Sequence, residues 1–539
     1  MLNQRPENIA EAIREKFTVH PPIFLANMPG TLKAELKPYL QPFERVLATH
    51  ELRALLEPGD IIEEEHGLYL ITTGRAEEDL RNRLTYWQRL GRALLVPTLQ
   101  KTIEFTQTGL EKASQREELH SARRLRYGPH DLHDYRGKFF PQLVRSLINI
   151  SQIPDGAVVL DPMCGSGTTL CEAIAFSRSA IGADLNPLSV LISTVKAGIV
   201  IERPAAFLNA VERYTEVFVT TRIDPTEMWD AGDVEYLRRW FDPGALVEIA
   251  ALLFDLKSVR SRLYKDFFRV CLSNIIRAVS WQKDTDLRVR KEVKPFQRGS
   301  VFEAFRTQVA SQRDRIYPYL CVLHPQGSTP QLVVKHGNAV EIDRLLPENV
   351  AKCDLLVTSP PYATALPYLD TDRLSLIALG LLDRKSHRNL EASMVGTREV
   401  TEKQRQVWWE LYQKRRRELP SSISRLIDKI SETNHGPGIG FRRRNLPALL
   451  GKYFLDMLEA MRSAKRMMRP GAQAYYVVGN NSSTVGGEKI EIPTDHFLFE
   501  LGAHAGWTPE EAIPMELIPS RDIFRENRGS TEAILHFRA

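Results

Sequence analysis

The sequence predicts an α/β protein: a doubly wound, Rossmann-like sheet with helical insertions and an N-terminal α+β domain. Three observations predict it. From about residue 126, short apolar runs alternate with segments of helical spacing, which is typical of a parallel sheet covered by helices. A glycine-rich turn, Asp161–Thr168, follows the first of these runs. Two long helix-like stretches then interrupt the alternation, so we expect six regions with limits at 1–125, 126–203, 204–328, 329–372, 373–446 and 447–539.

Length and composition exclude several classes of protein. With 539 residues, 43% of them hydrophobic and 26% charged, the chain is too long for one core and has the composition of a globular enzyme. No apolar run approaches the roughly 18 residues that cross a bilayer, and the first residues lack the layout of a signal peptide. The five cysteines form no CxxC pair and no Cys/His ligand spacing. We expect a cytoplasmic protein with no membrane contact and no metal site.

The elements follow in order. In the first region, Leu68–Thr72 has strand character between charged stretches, which favours a small α+β domain of unknown role. The sheet then begins with a strand at Ala157–Leu160, a helix within Gly165–Ser177, a strand at Ser179–Ala183 and a helix at Pro187–Ile199.

The first insertion carries amphipathic segments, among them Leu246–Leu263, which reads as one helix. Strands resume at Leu332–Lys335 and Asp354–Val357. After the second insertion we expect a helix at Gly451–Met468 and strands at Ala474–Val478 and Ala533–Phe537.

The turn after the first strand has the residues of a nucleoside site. Asp161 ends the strand, and Gly165 and Gly167 remove side chains where backbone approaches a ligand and enters the next helix. Asp184, at the end of the following strand, lies about 20 residues further on, the spacing of an acid that binds ribose hydroxyls. The spacing is not GxGxxG and there is no P-loop lysine, so a pyrophosphate ligand is disfavoured. Without a CxxxCxxC cluster, radical chemistry is disfavoured too.

A second motif, Thr358-Ser-Pro-Pro-Tyr362, follows another apolar strand and suits a planar ring with an exocyclic amine. The Ser359 hydroxyl and the Pro360 carbonyl can accept the two amine hydrogens, while Pro360 and Pro361 stiffen the turn. Tyr362 offers a ring for stacking on a base that has been extruded from its duplex. Because no Pro-Cys pair occurs, methylation at a ring carbon through a cysteine nucleophile is disfavoured.

Together these motifs resemble the DNA amino-methyltransferases of the cytosine-N4/adenine-N6 type. The resemblance rests on Asp161–Thr169, Gly182–Pro187 and Thr358–Tyr362, with His133–Pro141 and Val477–Asn480 as supporting segments. It covers roughly 126–200, 330–385 and 447–539, which would make 126–203 the cofactor half and 329–372 the catalytic half of a methyltransferase sheet.

The resemblance implies S-adenosylmethionine as the cofactor and assigns the site residue by residue. The implied catalytic residues are Ser359, Pro360, Pro361 and Tyr362. The implied cofactor-binding residues are Lys138, Phe139, Asp161, Pro162, Cys164, Gly165, Gly167, Thr168, Asp184, Asn186 and Asn338. At Asn338 related enzymes often carry Asp. Ser at 359, rather than Asp or Asn, favours cytosine N4 over adenine N6.

Charge is concentrated in the second insertion. Residues 401–450 hold eleven lysines and arginines against five acids, although the whole chain has a net charge of only +5. Lysine and arginine clusters bind nucleic-acid phosphates, so we expect target recognition in 373–446. A second candidate is the first insertion, with Lys283, Arg288, Arg290 and Lys291.

The sequence therefore predicts a site-specific DNA methyltransferase that acts on double-stranded DNA in restriction-modification or phage defence, with a cognate nuclease or defence subunits as partners. An alternative is a tRNA base methyltransferase with an N-terminal RNA-binding domain. A third hypothesis is a binding subunit that has lost turnover.

Overall fold

The computed structural model describes residues 31–56, 61–63, 67–106, 124–135, 137, 139–217, 222–283, 291–323, 329–363, 368–398, 400–434, 440–485, 488–515 and 532–539. The strands in these ranges are β1 Thr31–Leu36, β2 Ile61–Glu63, β3 Leu68–Thr72, β4 Trp87–Gly91, β5 Val96–Pro97, β6 Val158–Asp161, β7 Ser179–Asp184, β8 Leu332–His336, β9 Cys353–Thr358, β10 Met468–Gly479, β11 Asn481–Val485, β12 Glu488–Ile492, β13 Thr508–Met515 and β14 Glu532–Arg538.

The helices are α1 Pro42–Leu55, α2 Glu77–Arg83, α3 Leu99–Phe105, α4 Pro141–Ile150, α5 Thr168–Ala175, α6 Pro187–Val200, α7 Pro204–Val217, α8 Ala231–Leu237, α9 Pro243–Asp255, α10 Arg262–Val279, α11 Ser300–Leu323, α12 Ile342–Leu345, α13 Tyr368–Ala378, α14 Arg384–Ser393, α15 Glu402–Arg415, α16 Ser421–Thr433, α17 Phe441–Met467 and α18 Thr494–His504.

The central sheet has seven strands in the order β13-β14-β10-β9-β6-β7-β8. Strands β10, β9, β6, β7 and β8 are mutually parallel, and β14 runs antiparallel between β10 and β13. The chain winds outward in one direction from β6 through β7 to β8, and in the other from β9 to β10. This confirms the predicted doubly wound, Rossmann-like sheet with helical insertions, and it sets the switch point between β6 and β9, where such sheets bind ligands.

The N-terminal α+β domain is also confirmed. Its five strands form an antiparallel sheet in the order β2-β3-β1-β4-β5, with α1 to α3 packed beside it. Buried residues of this sheet and of the central sheet belong to one continuous hydrophobic cluster, which extends from Leu32 to Val159 and beyond. The two sheets are therefore joined by shared packing.

One expected helix is wrong. Residues 246–263 do not form a single helix, because α9 ends at Asp255 and a 3-10 turn at Leu256–Ser258 precedes extended backbone at Val259. A new helix, α10, starts at Arg262 after Ser261. Apolar residues on both sides of the break keep helical spacing, so the pattern alone did not reveal it. In the described part of the chain, no helix is both long and apolar enough to cross a membrane.

Candidate active site

A cavity of about 390 Å³ opens at the carboxyl edge of the parallel strands, on both sides of the switch point. This volume lies within the usual range for a small-molecule site. Its lining includes the glycine turn and the proline motif together: Tyr135, Gly137, Phe139, Phe140, Leu143, Pro162, Met163, Cys164, Gly165, Ser166, Thr168, Asp184, Leu185, Asn186, Asn338, Ala339, Ser359, Pro360, Pro361, Tyr362, Met394, Val395, Val477, Met515 and Glu532. The two motifs, nearly 200 residues apart in sequence, therefore face one space.

The two glycines of the turn have different surroundings. Gly165 lines the cavity with φ of +48°, and a Cβ there would lie 3.2 Å from the Tyr135 ring. Gly167 does not line it. With φ of +75° it precedes α5, and a Cβ would come within 2.7 Å of the Ser193 backbone on α6. Gly165 thus leaves room for a ligand, whereas Gly167 permits close packing of two helices.

Asp161 lies beneath the turn and does not face the cavity. Its side chain is completely buried, and Oδ1 accepts hydrogen bonds from Thr358 Oγ1 at 2.7 Å and from Met163 N at 3.2 Å. Burial raises the pKa of this carboxyl to about 6, while the bond from Thr358 acts in the opposite direction. Asp161 therefore connects the glycine turn of β6 to the first residue of the proline motif on β9.

Asp184 faces the cavity from the end of β7. Its two carboxylate oxygens accept from Gly165 N and from Asn186 N, each at 2.8 Å. Burial raises the pKa of Asp184, and these two backbone bonds partly offset that effect. A carboxylate has about four acceptor sites, so Asp184 can still accept from a ligand hydroxyl. Asp184 is consequently suited to hold a ribose and at the same time fixes the shape of the glycine turn.

Two asparagines in the lining already have protein partners. Asn186 Oδ1 caps α6 by accepting from Leu188 N at 3.0 Å, and its Nδ2 donates to Asp372 at 2.8 Å. Asn338 Oδ1 accepts from Val340 N at 3.2 Å, and its Nδ2 donates to Ser393 O at 2.9 Å. These bonds position the cavity wall, so both side chains shape the site from its edge.

Three smaller side chains of the turn complete the β6 wall. Pro162 lines the cavity, and Cys164 lines it while otherwise buried, with its Sγ 3.7 Å from Ser193 Oγ. The Thr168 hydroxyl accepts from the buried ammonium of Lys196 at 3.3 Å. Desolvation lowers the pKa of Lys196 to about 8, so a buried positive charge lies behind the start of α5.

The segment before α4 covers one side of the cavity. Tyr135 bonds Ser189 Oγ at 2.9 Å, and Phe139 lines the cavity beside it. His133 bonds Ser273 Oγ on α10 at 3.0 Å, which fits a histidine satisfied within the fold. Lys138 lies outside the described residues.

The proline motif forms the opposite side. Ser359 is half-buried, and no described residue forms a hydrogen bond with its hydroxyl, which leaves that group available to a ligand. Pro360 is buried and Pro361 is partly exposed. The Tyr362 hydroxyl donates to Glu532 Oε1 at 2.9 Å.

Several lining residues carry no sequence motif and were missed: Tyr135, Phe140, Met394, Val395, Met515 and Glu532. Met394 and Val395 follow α14 in the second insertion, and the buried Lys452 on α17 donates to Met394 O at 3.1 Å. Tyr135 and Phe140 gave a signal through their position in the quoted segment His133–Pro141 before the turn. The others come together through the path of the chain.

The second insertion pairs some of its cations internally and exposes others, among them Lys414, Arg417 and Lys429. Arg415 pairs with Glu418 at 2.7 Å and with Glu459 at 2.5 Å, and Arg416 pairs with Asp428. Trp408 and Tyr412 are buried against α17, as residues of a helix core are. In the first insertion, Arg288 and Arg290 lie outside the described residues, whereas Lys283 and Lys291 are exposed.

The cavity fits the adenosine and methionine parts of S-adenosylmethionine. A side chain at position 165 would occupy space next to Tyr135, Asp184 can accept from ribose, and Phe139, Phe140 and Leu143 provide an apolar wall. Among the described residues, no group of three or more potential metal ligands converges.

Comparison with known proteins agrees with the site. The sequence profile of a family described as DNA methylase matches residues 46–194. This match contains the glycine turn and Asp184, and it starts inside the N-terminal domain, which the motifs alone did not connect to the family.

Two long relatives are Type II methyltransferases. M.MvaI of Kocuria varians is 23% identical over 412 residues, which are 73% of this chain and 86% of that protein. M.BsoBI of Geobacillus stearothermophilus is 24% identical over 417 residues, 70% of this chain and 78% of the relative. A shorter similarity, 38% over 50 residues, links 9% of the chain to 14% of a tRNA (guanine(10)-N2)-dimethyltransferase of Methanocaldococcus jannaschii.

The profile match and the long relatives lead to the same family as the shared cavity of the two motifs. Both comparisons support a DNA amino-methyltransferase family, in which the methyl donor is S-adenosylmethionine.

Proposed function

We propose that this protein methylates an exocyclic amine of an extruded base in double-stranded DNA, with cytosine N4 as the preferred acceptor. One observation carries the proposal: Ser359–Tyr362 and the glycine turn line the same cavity. A methyl donor held by one motif would therefore meet an amine held by the other. The similarity to two Type II methyltransferases supports DNA as the substrate and a role in restriction-modification, with a cognate nuclease as partner.

The chain would hold the cofactor along the β6 and β7 edge. Backbone from Pro162 to Gly165 would lie against it, Asp184 would accept from its ribose, and Phe139 would cover its apolar part. S-adenosylmethionine supplies an electrophilic methyl group on a positively charged sulfur. Lys138, which the sequence also assigns to this role, stays a prediction.

The acceptor amine is a weak nucleophile because its lone pair is delocalised into the ring. The Ser359 hydroxyl, unpartnered among the described residues, and the Pro360 carbonyl would accept its two hydrogens and so favour a more pyramidal nitrogen. The bond from Thr358 to Asp161 fixes the start of this motif before the base arrives. Preset acceptors need little reorganisation during reaction, which is where such sites gain most of their rate.

The base must leave the duplex to reach this cavity. Stacking on Tyr362 would offset part of the cost of unstacking, by about 1–3 kcal/mol. The preference for cytosine rests on serine at 359, by resemblance to the cytosine-N4 members of the family.

A tRNA guanine methyltransferase is the second candidate, favoured by the 50-residue similarity to a tRNA (guanine(10)-N2)-dimethyltransferase. That similarity covers only 9% of the chain, whereas the Type II relatives cover 70% or more. DNA is therefore the better-supported substrate.

The experiment measures transfer of a labelled methyl group to duplex DNA and to tRNA by the wild type, Ser359→Ala and a control, Ser258→Ala, on an exposed turn. We expect transfer to DNA, a fall in kcat of about 100-fold for Ser359→Ala with cofactor affinity kept, and no change for the control. Full activity of Ser359→Ala, or transfer to tRNA alone, would refute the proposal.

A further inference from the structure

Glu532 is a carboxyl on the wall of the active-site cavity that no motif predicts. It is the first residue of β14, and its register partners are Gly479 at the end of β10 and Met515 at the end of β13. Glu532 and Met515 both line the cavity next to the proline motif. The three residues lie side by side on neighbouring strands at this edge of the sheet, next to the proline motif.

The Tyr362 ring packs against Gly479 of this group. A Cβ on Gly479 would lie 2.6 Å from Cε2 of the ring, 2.7 Å from Cζ and 3.0 Å from the hydroxyl oxygen, so the ring lies directly on the β10 backbone. Its hydroxyl reaches across β10 to donate to Glu532 Oε1 at 2.9 Å. The Gly479 backbone therefore supports the ring, and the hydrogen bond to Glu532 holds its hydroxyl end.

The backbone of the motif is fastened separately. Gly396, with φ of +76°, lies in the second insertion, and a Cβ there would be 3.1 Å from Pro361 Cβ and 3.2 Å from Tyr362 O. Contact at Gly396 restrains the turn, whereas the bond to Glu532 acts at the outer end of the ring.

Burial of the Glu532 carboxyl disfavours its ionised form. Burial raises the pKa of Glu532, and the hydrogen bond from Tyr362 partly offsets that rise. Among the described residues, Tyr362 is the one group that forms a hydrogen bond with Glu532. The carboxyl therefore makes its one described polar contact with the residue that would carry the base.

We propose that Glu532 is a positioning residue that fixes the plane of the Tyr362 ring through the Tyr362 hydroxyl, so that the stacking platform for the target base is set in advance. The inference rests on the proposed function, because it takes Tyr362 as that platform. An aromatic side chain that is free to tilt loses stacking contact with the base, and the loss falls on binding of the extruded base. Transfer itself, which depends on Ser359 and Pro360, would be affected much less.

The test compares Tyr362→Phe, Glu532→Ala, their double variant and Glu532→Gln, with Glu510→Ala as a matched control. Glu510 pairs with Arg538 on the same side of the sheet and does not line the cavity. Steady-state kinetics on target duplex, cofactor affinity and fluorescence of 2-aminopurine at the target position are measured for each.

Each of the two single variants should raise KM for DNA by about 10-fold, which corresponds to the loss of one buried hydrogen bond. Their kcat should stay within about twofold, and the double variant should be no worse than either single one. Glu532→Gln keeps an oxygen acceptor and should recover most of the wild-type KM. The 2-aminopurine signal should show less stacking in Tyr362→Phe and Glu532→Ala.

Additive effects in the double variant, an unchanged KM, or a loss confined to kcat would overturn the inference. Tyr362→Phe removes only one oxygen, so it decides the matter if Glu532→Ala fails to fold. If the wild type methylates tRNA and no DNA, the proposed function fails, but the same pattern in KM for tRNA would still support the positioning role.

Discussion

Asp161 shows how a residue can serve the site without facing it. The strand-end position suggested a cofactor ligand, but the side chain is completely buried and bonds Thr358 Oγ1 at 2.7 Å. Asp161 thereby ties the two motifs of the cavity together across the switch point. It keeps a carboxyl in the interior, where the ionised form is disfavoured.

Because Asp161 is buried, its contribution to the stability of the protein should depend on pH. The pKa of Asp161 is about 6 in the folded protein, against an ordinary value of 3.8. The folded state thus holds the proton more tightly, so the contribution of Asp161 to stability is present below about pH 4 and is lost as the pH rises through 6. Asn at this position does not titrate. We therefore expect Asp161→Asn to be more stable relative to wild type at pH 7.5 than at pH 4.5. The difference between the two free energies of unfolding should rise by about 2 kcal/mol in favour of the variant.

Urea unfolding at the two pH values measures that difference. Thr358→Val removes the bond that lowers the pKa of Asp161 and should extend the loss of stability to higher pH. An equal difference between Asp161→Asn and wild type at both pH values would contradict this assignment.

Single residues were predictable where a local pattern fixes their position. Gly165 and Asp184 follow strands whose ends must meet at one edge, and both line the cavity. Glu532 and Met394 were not predictable, because each reaches the site through a long connection with no local signal. Gly167 was predicted to approach a ligand, but its closest neighbour is Ser193.

At the scale of elements, the parallel strands were clear from apolar runs of the right length. The antiparallel direction of β14 was not, since an apolar run carries no information about its partner's direction. Strand β13 was missed altogether: Thr508–Met515 contains two prolines and three acidic or polar positions, and it lies at the sheet edge, where such residues are tolerated.

Both insertions expose cations, among them Lys414, Arg417 and Lys429 in the second and Lys283 and Lys291 in the first. In the second insertion, Arg415 and Arg416 are held in ion pairs. In the first, residues 257–298 contain twelve lysines and arginines against four acids. Lys283 and Lys291 are exposed, and an antiparallel bridge pairs Lys291 with Gln282, the neighbour of Lys283.

This basic segment lies near the cavity. Asn274 on α10 donates to Leu132 O at 2.7 Å, next to the segment that carries Tyr135. From Asn274 to the end of α10 at Val279 the helix rises only about 8 Å. We therefore expect the exposed Lys283 and Lys291 to contact DNA phosphates.

Lys283→Ala with Lys291→Ala should therefore weaken DNA binding similarly for all sequences. The slope of log affinity against log salt should fall by about 2, since each phosphate contact contributes about 0.9. Titration of duplex DNA at several salt concentrations measures it. Lys257→Ala, before the other end of α10, is the control and should leave the slope unchanged. An unchanged slope in the double variant would contradict this role for the two lysines and would favour residues 373–446 as the DNA-binding surface.

Hydrogen bonds from α4 connect the N-terminal domain to the central sheet. Asn149 donates to Glu51 at 2.7 Å, Gln142 donates to Glu104 at 3.2 Å, and Arg145 donates to Gln100 and to Asn82 O. Arg145 is completely buried and stacks 3.7 Å above the Phe176 ring. The family profile also extends across this junction, from residue 46 to 194.

Loss of Arg145 should therefore destabilise the whole protein. Arg145→Ala removes the donor to the buried Gln100 Oε1 and to the Asn82 carbonyl, and it removes the stacking on Phe176, so we expect a loss of about 3 kcal/mol in the free energy of unfolding. Arg92→Ala, on the exposed surface of the same domain, should change it by less than about 0.5 kcal/mol. Chemical unfolding measures both. Equal effects of the two substitutions would show that the junction contributes little.

The activity proposed for the complete cavity is methylation of a base in DNA. The most direct measurement is sequencing that reports modified bases, on DNA from cells that express the wild type or Ser359→Ala. We expect N4-methylcytosine at one recurring short sequence with the wild type and none with the variant. N6-methyladenine in its place would rule out cytosine as the acceptor, and unmodified DNA beside methylated tRNA would rule out DNA as the substrate.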